Sequence, residues 1–457
     1  MENKFVRVGI IGTGDIFNSH SQAYPDHPYA VVTAFYDRIK SRAQSWYERM
    51  KELMNMIRES YEDENPEDLE EDEKGLLEKV KIFEKEARVY DTVKDLMVNV
   101  DVIDICTPNY AHAQYAIWAL KVGKSVMVEK PPARCSLETQ WLVEAAKNSK
   151  AKFQLNENFF WQAFVEKLGE LVAAGKIGTV KKMNTMLGHT GPSWGFNNHF
   201  LNPSLSGGGC MSDMGIHAIG FGYGVVGQKF KVKNITAVKL KSGTQPERTM
   251  KDSDGWNVYE LKRFLVEDHA KTKLTLINSE TQQEIKWTIE TSWAKQMQGI
   301  TIEGSEGTLA LELNEKKQII IAFYNKEGKR EVIPIPPQRR DSHVLECIEF
   351  CANIVEGKLV RVDAEWAHQM QIIISGTYLS WLKGFRESDG SRGIEVTPED
   401  LDKYYKSFID AGTPTPILIE DIVYDLMSPF TEHYFTPGKK FTEESNVMTA
   451  YKDMKKE

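Results

Sequence analysis

A short apolar strand that runs into a glycine turn is the feature that most constrains this chain. Residues 5–11 (FVRVGII) predict a strand buried in a parallel sheet, and residues 12–17 (GTGDIF) lead from it into a predicted helix. This arrangement suits a dinucleotide pyrophosphate, because Gly12 permits the tight turn and Gly14 lets the backbone approach the phosphates. Phe17 stands where the full fingerprint has a third glycine, so the motif is weaker when taken alone.

The second predicted strand, residues 30–36 (AVVTAFY), ends at an acidic residue, Asp37. Its distance from the glycine turn is close to the ~20 residues that precede a ribose-binding acid. A carboxylate there accepts hydrogen bonds from ribose hydroxyls and repels a 2′-phosphate, which favours NAD over NADP. NADP stays open because Arg38 could turn toward a phosphate, and an Asp after a strand is also a common helix N-cap.

Length and composition narrow the class of protein. A chain of 457 residues exceeds what one core usually supports, so we expect two domains. The net charge of -9 argues against a nucleic-acid surface. The five cysteines include no CxxC pair, so we expect neither a disulfide framework nor a metal site. No apolar run reaches the ~18 residues of a membrane span, and a strand beginning by Phe5 leaves no room for a secretory signal, so we expect a cytoplasmic protein.

The pattern along the chain predicts three regions. Residues 1–150 form a Rossmann domain, residues 151–396 a substrate-binding and oligomerisation α+β domain, and residues 397–457 a C-terminal extension with packed aromatics. An acidic helical insertion at about 45–88 interrupts the first domain. A solvated surface hairpin is the default interpretation of the insertion; an assembly contact or a lid over a neighbouring site is the alternative.

Two further predicted strands, residues 101–106 and 125–128, end in polar residues. The first is followed by TPNYAH at 107–112 and the second by EKPP at 129–132. Loops at the carboxyl ends of parallel strands line the ligand crevice, so both segments are predicted to lie where a cofactor and a substrate meet. Lys130 beside a rigid proline pair could place a positive charge next to a reacting hydroxyl, although a lysine in a surface turn is the plain alternative.

A predicted helix after Gly207-Gly208-Gly209 carries Asp213 and His217, four residues apart. At that spacing the two side chains share one face of a helix. A carboxylate can orient a histidine ring and support its protonated form, and the histidine can take a proton from a carbinol as hydride leaves the same carbon. Such pairs also occur as plain surface interactions.

These segments together resemble the Gfo/Idh/MocA oxidoreductase family over roughly residues 5–396, the acidic insertion excepted. The resemblance is carried by GTGxIxxxH at 12–20, TPNxxH at 107–112, EKP at 129–131, GKIG at 175–178, GGG at 207–209, DxGxH at 213–217 and IEGSEGT at 302–308. It implies an α/β protein: an N-terminal doubly wound parallel Rossmann sheet, followed by an α+β domain with a large, open, mostly antiparallel sheet. Dimers or tetramers formed through that sheet are expected.

The resemblance also implies roles for individual residues. Lys130 would contact the substrate hydroxyl, His217 would be the general acid/base, and Asp213 would hold the substrate or orient His217. The remaining matched positions would hold the cofactor together with Lys130: Gly12, Thr13, Gly14, Asp15, Ile16, Asp37, Arg38, Thr107, Pro108, Asn109, His112 and Glu129.

Two departures from the family pattern concern the substrate side. Gly220 stands where many relatives have an acid, and the strand end at 156–161 reads NENFFW where relatives often have an arginine. Asn158 could bond substrate hydroxyls, while Phe159 and its neighbour could stack on a sugar or pack in the core. Trp194 and His199, in the loop before the glycine run, are further candidate substrate contacts.

Three functions remain open from sequence. The first is a dehydrogenase that uses NAD, or less readily NADP, on a sugar, glycoside or cyclitol, with C3 of a pyranose a reasonable position. The second is a glycosidase or lyase that uses NAD transiently, oxidising C3, eliminating the aglycone and then reducing the sugar. The third is a non-catalytic NAD-binding scaffold, against which the Lys/Asp/His set argues.

Overall fold

Two β-sheets organise the chain. The computed structural model describes residues 5–65, 67–190, 199–200, 202–241, 248–251, 258–261, 266–387 and 393–410. The first sheet is built from the strands β1 (Val6–Ile11), β2 (Ala30–Tyr36), β3 (Arg88–Val89), β4 (Val102–Ile105), β5 (Ser125–Glu129) and β6 (Phe153–Asn156). Its order is β3-β2-β1-β4-β5-β6 and all its neighbouring strands are parallel. This is the doubly wound order of a Rossmann fold, which confirms the predicted fold class.

The later strands form a second sheet. They are β7 (Val180–Thr190), β8 (Phe230–Lys241), β9 (Arg248–Lys251), β10 (Val258–Leu261), β11 (His269–Asn278), β12 (Glu284–Ser292), β13 (Ala294–Gly304), β14 (Gly307–Leu313), β15 (Ile319–Asn325) and β16 (Arg330–Ile333). Eight of them pair in the order β16-β15-β14-β13-β7-β12-β11-β8, while β9 and β10 form a separate pair. Only β7 and β12 pair in parallel among these described strands, so the predicted large, mostly antiparallel sheet is confirmed.

Helices cover the sheets and connect them. In chain order they are α1 (Phe17–His20), α2 (Lys40–Ser60), α3 (Glu71–Glu86), α4 (Val93–Val98), α5 (His112–Lys121), α6 (Ser136–Lys147), α7 (Ala163–Ala173), α8 (Pro203–Ser206), α9 (Cys210–Asp213), α10 (Gly215–Val226), α11 (Ser342–Val355), α12 (Ala364–Glu387) and α13 (Pro398–Asp410). No helix within the described ranges combines the length and the apolar character needed to cross a membrane.

The last helices tie the two sheets together. Helix α12 packs on β8 of the second sheet and on α6 of the first, where the Ser136 amide donates a 2.9 Å hydrogen bond to Ser375 Oγ. Helix α11 lies against β6 and α1. The described part of the C-terminal extension is α13, which buries Leu401 and Tyr405. The two sheets therefore share one buried boundary, and polar side chains from both can meet there.

The acidic insertion folds as two helices, α2 and α3, whose charged residues face solvent. One lysine of α3 points inward instead. Lys79 is 2% exposed, and its Nζ donates to the carbonyl oxygens of Tyr24 (2.6 Å), Pro25 (2.8 Å) and His27 (3.1 Å). Burial lowers the pKa of Lys79 to about 7. A single side chain thus fastens the insertion to the segment that follows the glycine turn.

Replacing Lys79 with Met should destabilise the protein by about 1–3 kcal/mol, because three buried carbonyl oxygens lose their donor while the apolar volume is kept. Urea unfolding at about pH 9 measures the effect. Because burial lowers the pKa of Lys79, charging it costs the folded state stability, and the loss on substitution should be smaller at about pH 6. Lys81→Met, at an exposed position of the same helix, is the control and should cost little. Equal losses for the two variants would contradict this role for Lys79.

Candidate active site

The glycine turn lies at the carboxyl edge of the first sheet, between β1 and β4, where the strand order reverses. Gly12 has a φ of +90°, and a Cβ at this position would come within 2.7 Å of the Cys106 carbonyl oxygen. At Gly14 a Cβ would meet no atom within 4 Å, so the backbone there borders open space. The buried Thr107 Oγ1 beside the turn has no hydrogen-bond partner among the described residues. The tight turn at Gly12, the open space at Gly14 and the unpartnered Thr107 hydroxyl are together suited to binding a dinucleotide.

Asp37 folds back onto this turn. Its Oδ2 accepts hydrogen bonds from the Thr13 amide (2.8 Å) and the Thr13 hydroxyl (3.2 Å), and its Oδ1 accepts from the Ile39 amide at 2.7 Å. The neighbouring Arg38 is exposed, as is Asp15 on the turn, and Ile16 is half-buried. The acid predicted to bind ribose therefore stands beside the glycine turn, and the next residue, Arg38, is an exposed cation.

The helix after the turn is shorter than the motif suggests. Helix α1 has four residues and continues as a 3-10 turn over Ser21–Ala23. Phe17, which replaces the third glycine, is fully buried and packs edge-on against Trp46 of α2 with ring centroids 4.9 Å apart. Because the helix is so short, the N–H groups of the turn itself carry any anion binding, and the dipole of a long helix contributes little.

Several residues predicted to touch the cofactor face inward. His112 is 1% exposed, and its Nδ1 and Nε2 lie 2.7 and 2.6 Å from the carbonyl oxygens of Pro131 and Thr107. Asn109, in the 3-10 turn capped by Pro108, donates from Nδ2 to the Ser206 carbonyl at 2.8 Å. His112 thus links the loops that follow β4 and β5, and Asn109 links the first of these loops to the end of α8. Their geometry suits holding the site in shape.

Glu129 belongs to a buried polar network centred on His20. The His20 Nδ1 lies 3.0 Å from Asp104 Oδ2, and its Nε2 lies 2.9 Å from Glu129 Oε1. Burial opposes a charge on His20, but the Asp104 carboxylate outweighs it and raises the pKa of His20 well above its ordinary value. Glu129 Oε2 accepts a 3.1 Å hydrogen bond from the Lys130 amide. The network thereby fixes the backbone from which Lys130 projects.

Glu346 of α11 completes this cluster. It is fully buried, its Oε1 lies 3.7 Å from His20 Nε2, and neither carboxylate oxygen has a hydrogen-bond partner among the described residues. Burial, together with the nearby Glu129 carboxylate, raises the pKa of Glu346 well above its ordinary value. Glu129 behaves in the opposite way: burial alone would raise its pKa, but the hydrogen bond from His20 lowers it. The pKa of Glu346 is thus shifted toward the protonated form and that of Glu129 toward the ionised form.

Lys130, whose side chain is 18% exposed, and the buried Asp213 form an ion pair that joins the end of β5 to the end of α9. The Lys130 Nζ lies 2.8 Å from Asp213 Oδ1 and 3.3 Å from the Asp213 carbonyl oxygen, and Trp293 Nε1 donates to Asp213 Oδ2 at 2.9 Å. Burial works against both charges. The mutual attraction prevails, so the pKa of Lys130 is raised and the pKa of Asp213 lies far below its ordinary value.

The predicted helix through Asp213 and His217 is interrupted. Helix α9 ends at Asp213 and α10 begins at Gly215, with Met214 between them. The hydrogen-bond partner of His217 is Glu157, whose Oε1 lies 2.7 Å from His217 Nδ1. Asp213 is held by Lys130 and Trp293, so the expectation that it orients His217 finds no contact in the described site. One carboxylate serves the lysine and another serves the histidine.

The glycine run before α9 passes through a crowded boundary. A Cβ at Gly207, Gly208 or Gly209 would lie 2.0–2.4 Å from the Arg134 carbonyl oxygen, the Tyr378 hydroxyl or the Glu267 carbonyl oxygen, respectively. Glu267 also caps α9: its carboxylate accepts from the amides of Gly209 (2.9 Å) and Met211 (2.8 Å). The three glycines let α9 start close enough to these neighbours to carry Asp213 to Lys130.

Of the three residues predicted to contact substrate, the structure describes Asn158 and His199. Asn158 is 7% exposed and donates to Ser342 Oγ at 3.0 Å, so its amide tethers α11. His199 is half-buried; burial, with the charges of His112 and Lys130, lowers its pKa to about 4, which indicates a neutral imidazole near the Lys130–Asp213 pair. Trp194 lies outside the described residues.

The sequence left open whether Phe159 and Phe160 pack in the core or line the substrate site, and the structure places them differently. Phe160 is 5% exposed and packs in the core against Trp366, with ring centroids 5.3 Å apart. Phe159 is half-buried, and its ring centroid lies 4.7 Å from that of His217. Phe159 thus forms part of the wall around His217, while Phe160 belongs to the core.

Sequence reasoning did not single out three residues that shape the site. Glu157, Trp293 and Glu267 contact His217, Asp213 and the start of α9 from 60, 80 and 58 positions away along the chain. Glu157 follows directly after a predicted strand, as Thr107 and Lys130 do, so its position was a usable signal. Trp293 and Glu267 carry no comparable local signal.

Comparison with known proteins identifies the family. Residues 6–157 match the description "Oxidoreductase family, NAD-binding Rossmann fold" and residues 165–310 match "GFO/IDH/MocA C-terminal domain". The two segments together span more than half of the chain. The protein therefore belongs to the Gfo/Idh/MocA oxidoreductase family, as the sequence motifs indicated.

Named relatives act on sugars. The chain is 26% identical over 313 residues to the D-glucoside 3-dehydrogenase of Escherichia coli K12, covering 66% of this chain and 83% of that one. It is 23% identical over 309 residues to the levoglucosan dehydrogenase of Pseudarthrobacter phenanthrenivorans, covering 60% and 76%. Among solved structures, the aldose-aldose oxidoreductase of Caulobacter crescentus shares the fold with a TM-score of 0.61 at 18% identity, covering 86% of this chain and 99% of that one.

Replacing Glu346 with Gln should make the protein progressively more stable than the parent as the pH rises from about 5 to about 8. A buried carboxyl whose pKa is raised stays protonated in the folded state while the unfolded chain ionises, so it costs stability as the pH increases. Gln lacks this titration. The measurement is the difference in free energy of unfolding between variant and parent across that pH range.

The control for this experiment is Glu315→Gln, an exposed carboxyl, for which the difference should stay flat with pH. If the Glu346→Gln variant instead lost stability relative to the parent at the higher pH, Glu346 would be ionised and paired in the folded state, contrary to this description.

Proposed function

We propose that the protein is an NAD-dependent dehydrogenase that reversibly oxidises a carbinol of a sugar, glycoside or cyclitol. The observation that carries the proposal is the Lys130–Asp213 pair with His217 nearby, standing on the same sheet edge as the glycine turn. A scaffold that only binds NAD has no use for a charged lysine and an oriented histidine at its cofactor edge.

Lys130 supplies the positive charge in this proposal. An ammonium group has three N–H bonds, and Asp213 accepts from it through Oδ1 and the carbonyl oxygen. The remaining N–H bond can donate to the substrate hydroxyl oxygen and stabilise the negative charge that grows there as the proton leaves. Asp213 keeps the lysine charged and fixes its direction, so this stabilisation is preorganised.

His217 is the proposed general base for oxidation and the general acid for reduction. Its Nδ1 is engaged by Glu157, so Nε2 is the ring atom left to exchange a proton with the substrate hydroxyl. The ring is 8% exposed, which limits competition from bulk water. A bound nicotinamide dinucleotide would supply the hydride acceptor, held by the Gly12–Gly14 turn, Asp37 and Thr107.

The relatives' names support a sugar as the substrate class. A D-glucoside 3-dehydrogenase, a levoglucosan dehydrogenase and a glucose-6-phosphate 3-dehydrogenase are among the similar proteins. Two of these three names specify C3, which supports C3 of a pyranose as the oxidised position. Phe159 beside His217 offers an aromatic face of the kind on which sugar rings stack.

A panel of glycosides, free sugars and inositols incubated with NAD tests the proposal, with both NADH absorbance and product identity followed. Stoichiometric NADH with a keto-sugar is the expected result. Release of aglycone without accumulated NADH would replace the dehydrogenase by a glycosidase that oxidises C3 transiently. Tight NAD binding without turnover of any compound would replace it by a scaffold.

Replacing His217 with Ala should lower kcat by about 10²–10⁴-fold, because the proton transfer loses its base. The affinity for NAD should hold, since His217 lies on α10 and not on the glycine turn. Steady-state kinetics with the best panel substrate, alongside NAD titration of the free enzyme, separate the two effects. Hydride transfer at the parental rate in this variant would show that another group is the base.

Replacing Asp37 with Ser should raise the kcat/KM ratio of NADP to NAD by about 10- to 100-fold, because a like-charge contact costing one to a few kcal/mol disappears. Ser keeps an oxygen that can accept from the Thr13 amide. Asp91→Ser, a surface acid beside Lys40, is the control and should leave the ratio unchanged. An unaltered ratio in Asp37→Ser would remove Asp37 from cofactor selection.

A further inference from the structure

His217 depends on a carboxylate that its own helix does not provide. The Glu157 Oε1 atom lies 2.7 Å from His217 Nδ1, and Glu157 is fully buried at the end of β6. The same oxygen accepts a 3.3 Å hydrogen bond from the Phe159 amide. Oε2 is buried without a partner among the residues that the structure describes. The hydrogen bonds described for Glu157 are therefore the one to His217 and the longer one from the Phe159 amide.

The other carboxylate near His217 is already committed. Both oxygens of Asp213 are in use, one by Lys130 and the other by Trp293. The next turn of α10 carries no acid: at Gly220, a Cβ would lie 3.0 Å from Glu157 Cγ and 3.1 Å from Glu157 Oε1. The space that a side chain at Gly220 would fill is taken by Glu157.

Donor and acceptor chemistry then determines the state of the imidazole. An ionised carboxylate can only accept hydrogen bonds, so His217 must carry a hydrogen on Nδ1 to bond Glu157. In the neutral ring this leaves Nε2 without a hydrogen, as an acceptor for the substrate proton. Without the carboxylate, the ring could carry its hydrogen on Nε2 and could not act as a base there.

We propose that Glu157 is the positioning residue of this site, fixing the tautomer and the orientation of His217, and that Gly220 is required because it makes room for the carboxylate. The inference rests on the proposed function, in which His217 exchanges the proton. Glu157 touches no reacting atom in this scheme and acts only through His217. Its negative charge also contributes to the raised pKa of Lys130, so it lies near both working groups.

Nitrogen-15 NMR of histidine-labelled protein tests the tautomer directly and needs no substrate. The chain has ten histidines, and the signals missing from His217→Asn assign the ring. The parent should show a hydrogen on Nδ1 and a bare Nε2 when the ring is neutral. Glu157→Ala should shift the ring toward the Nε2-protonated form. A parental His217 with its hydrogen on Nε2, or no change on removal of Glu157, would overturn the proposal.

Kinetics of Glu157→Gln, which keeps the shape and removes the charge, give the second readout. The kcat should fall by about 10–100-fold, the usual cost of losing a supporting partner, while KM should change little because Glu157 does not contact substrate. A higher KM with kcat unchanged would assign Glu157 to the substrate pocket and overturn the positioning role.

Gly220→Ala provides a variant in which Glu157 itself is intact. The added methyl should stabilise α10, since Ala favours helices over Gly, yet it should lower kcat by pushing the carboxylate away from His217. In a Glu157→Ala background, where the methyl has room, the same substitution should leave kcat unchanged. Additive losses in the double variant would contradict a shared route through His217.

The two hypotheses fail in different ways. If no panel compound is turned over, the proposed function falls and the NMR experiment still decides the tautomer. If the parent turns over sugar and His217→Ala is inactive, but Glu157→Ala has parental kcat and an unchanged His217 tautomer, the function stands and the positioning role falls.

Discussion

The ion pair between Lys130 and Asp213 is the interaction on which the site depends. It links the end of β5 in the first sheet with the end of α9 in the second part of the fold, across 83 positions of sequence. Two charges at such a boundary are stable only together, because removal of either leaves the other unpaired in a poor solvent for ions. The pair therefore couples the relative placement of the two sheets to the electrostatics of the site.

Around this pair, each buried acid contacts a different group of the site. Asp213 pairs with Lys130, Glu157 bonds His217, and Glu267 caps α9. Glu129 accepts a hydrogen bond directly from the Lys130 amide and is held in place by His20. Asp213 faces the Lys130 ammonium group, whereas Glu346 has no hydrogen-bond partner among the described residues and its pKa is raised by burial. Burial also raises the pKa of Glu267, to about 7, although backbone amides donate to it. The hydrogen bonds that these carboxylates do make hold the side chains of the site in place before substrate arrives.

Local patterns in the sequence carried much of the fold and part of the site. The apolar strands and glycine turn predicted the parallel sheet, and the rule that strand ends converge brought Lys130 to the same edge as the turn. The expectation of one unbroken helix through Asp213 and His217 was wrong, because α9 ends at Asp213 and α10 begins at Gly215. The catalytic roles of the two residues stay predictions. Glu157 and Trp293 were missed because their contacts are made 60 and 80 residues away, where periodicity conveys nothing about proximity.

The central claim is that this site moves hydride from a sugar carbinol to a bound dinucleotide. Incubation of the enzyme with NAD and a methyl glucoside deuterated at C3 tests it most directly, with the nicotinamide and the sugar analysed by NMR. We predict that deuterium appears on the reduced nicotinamide and that a 3-keto glucoside forms. Deuterium retained entirely on the sugar, for this substrate and for similarly labelled members of the sugar and cyclitol panel, would contradict the account.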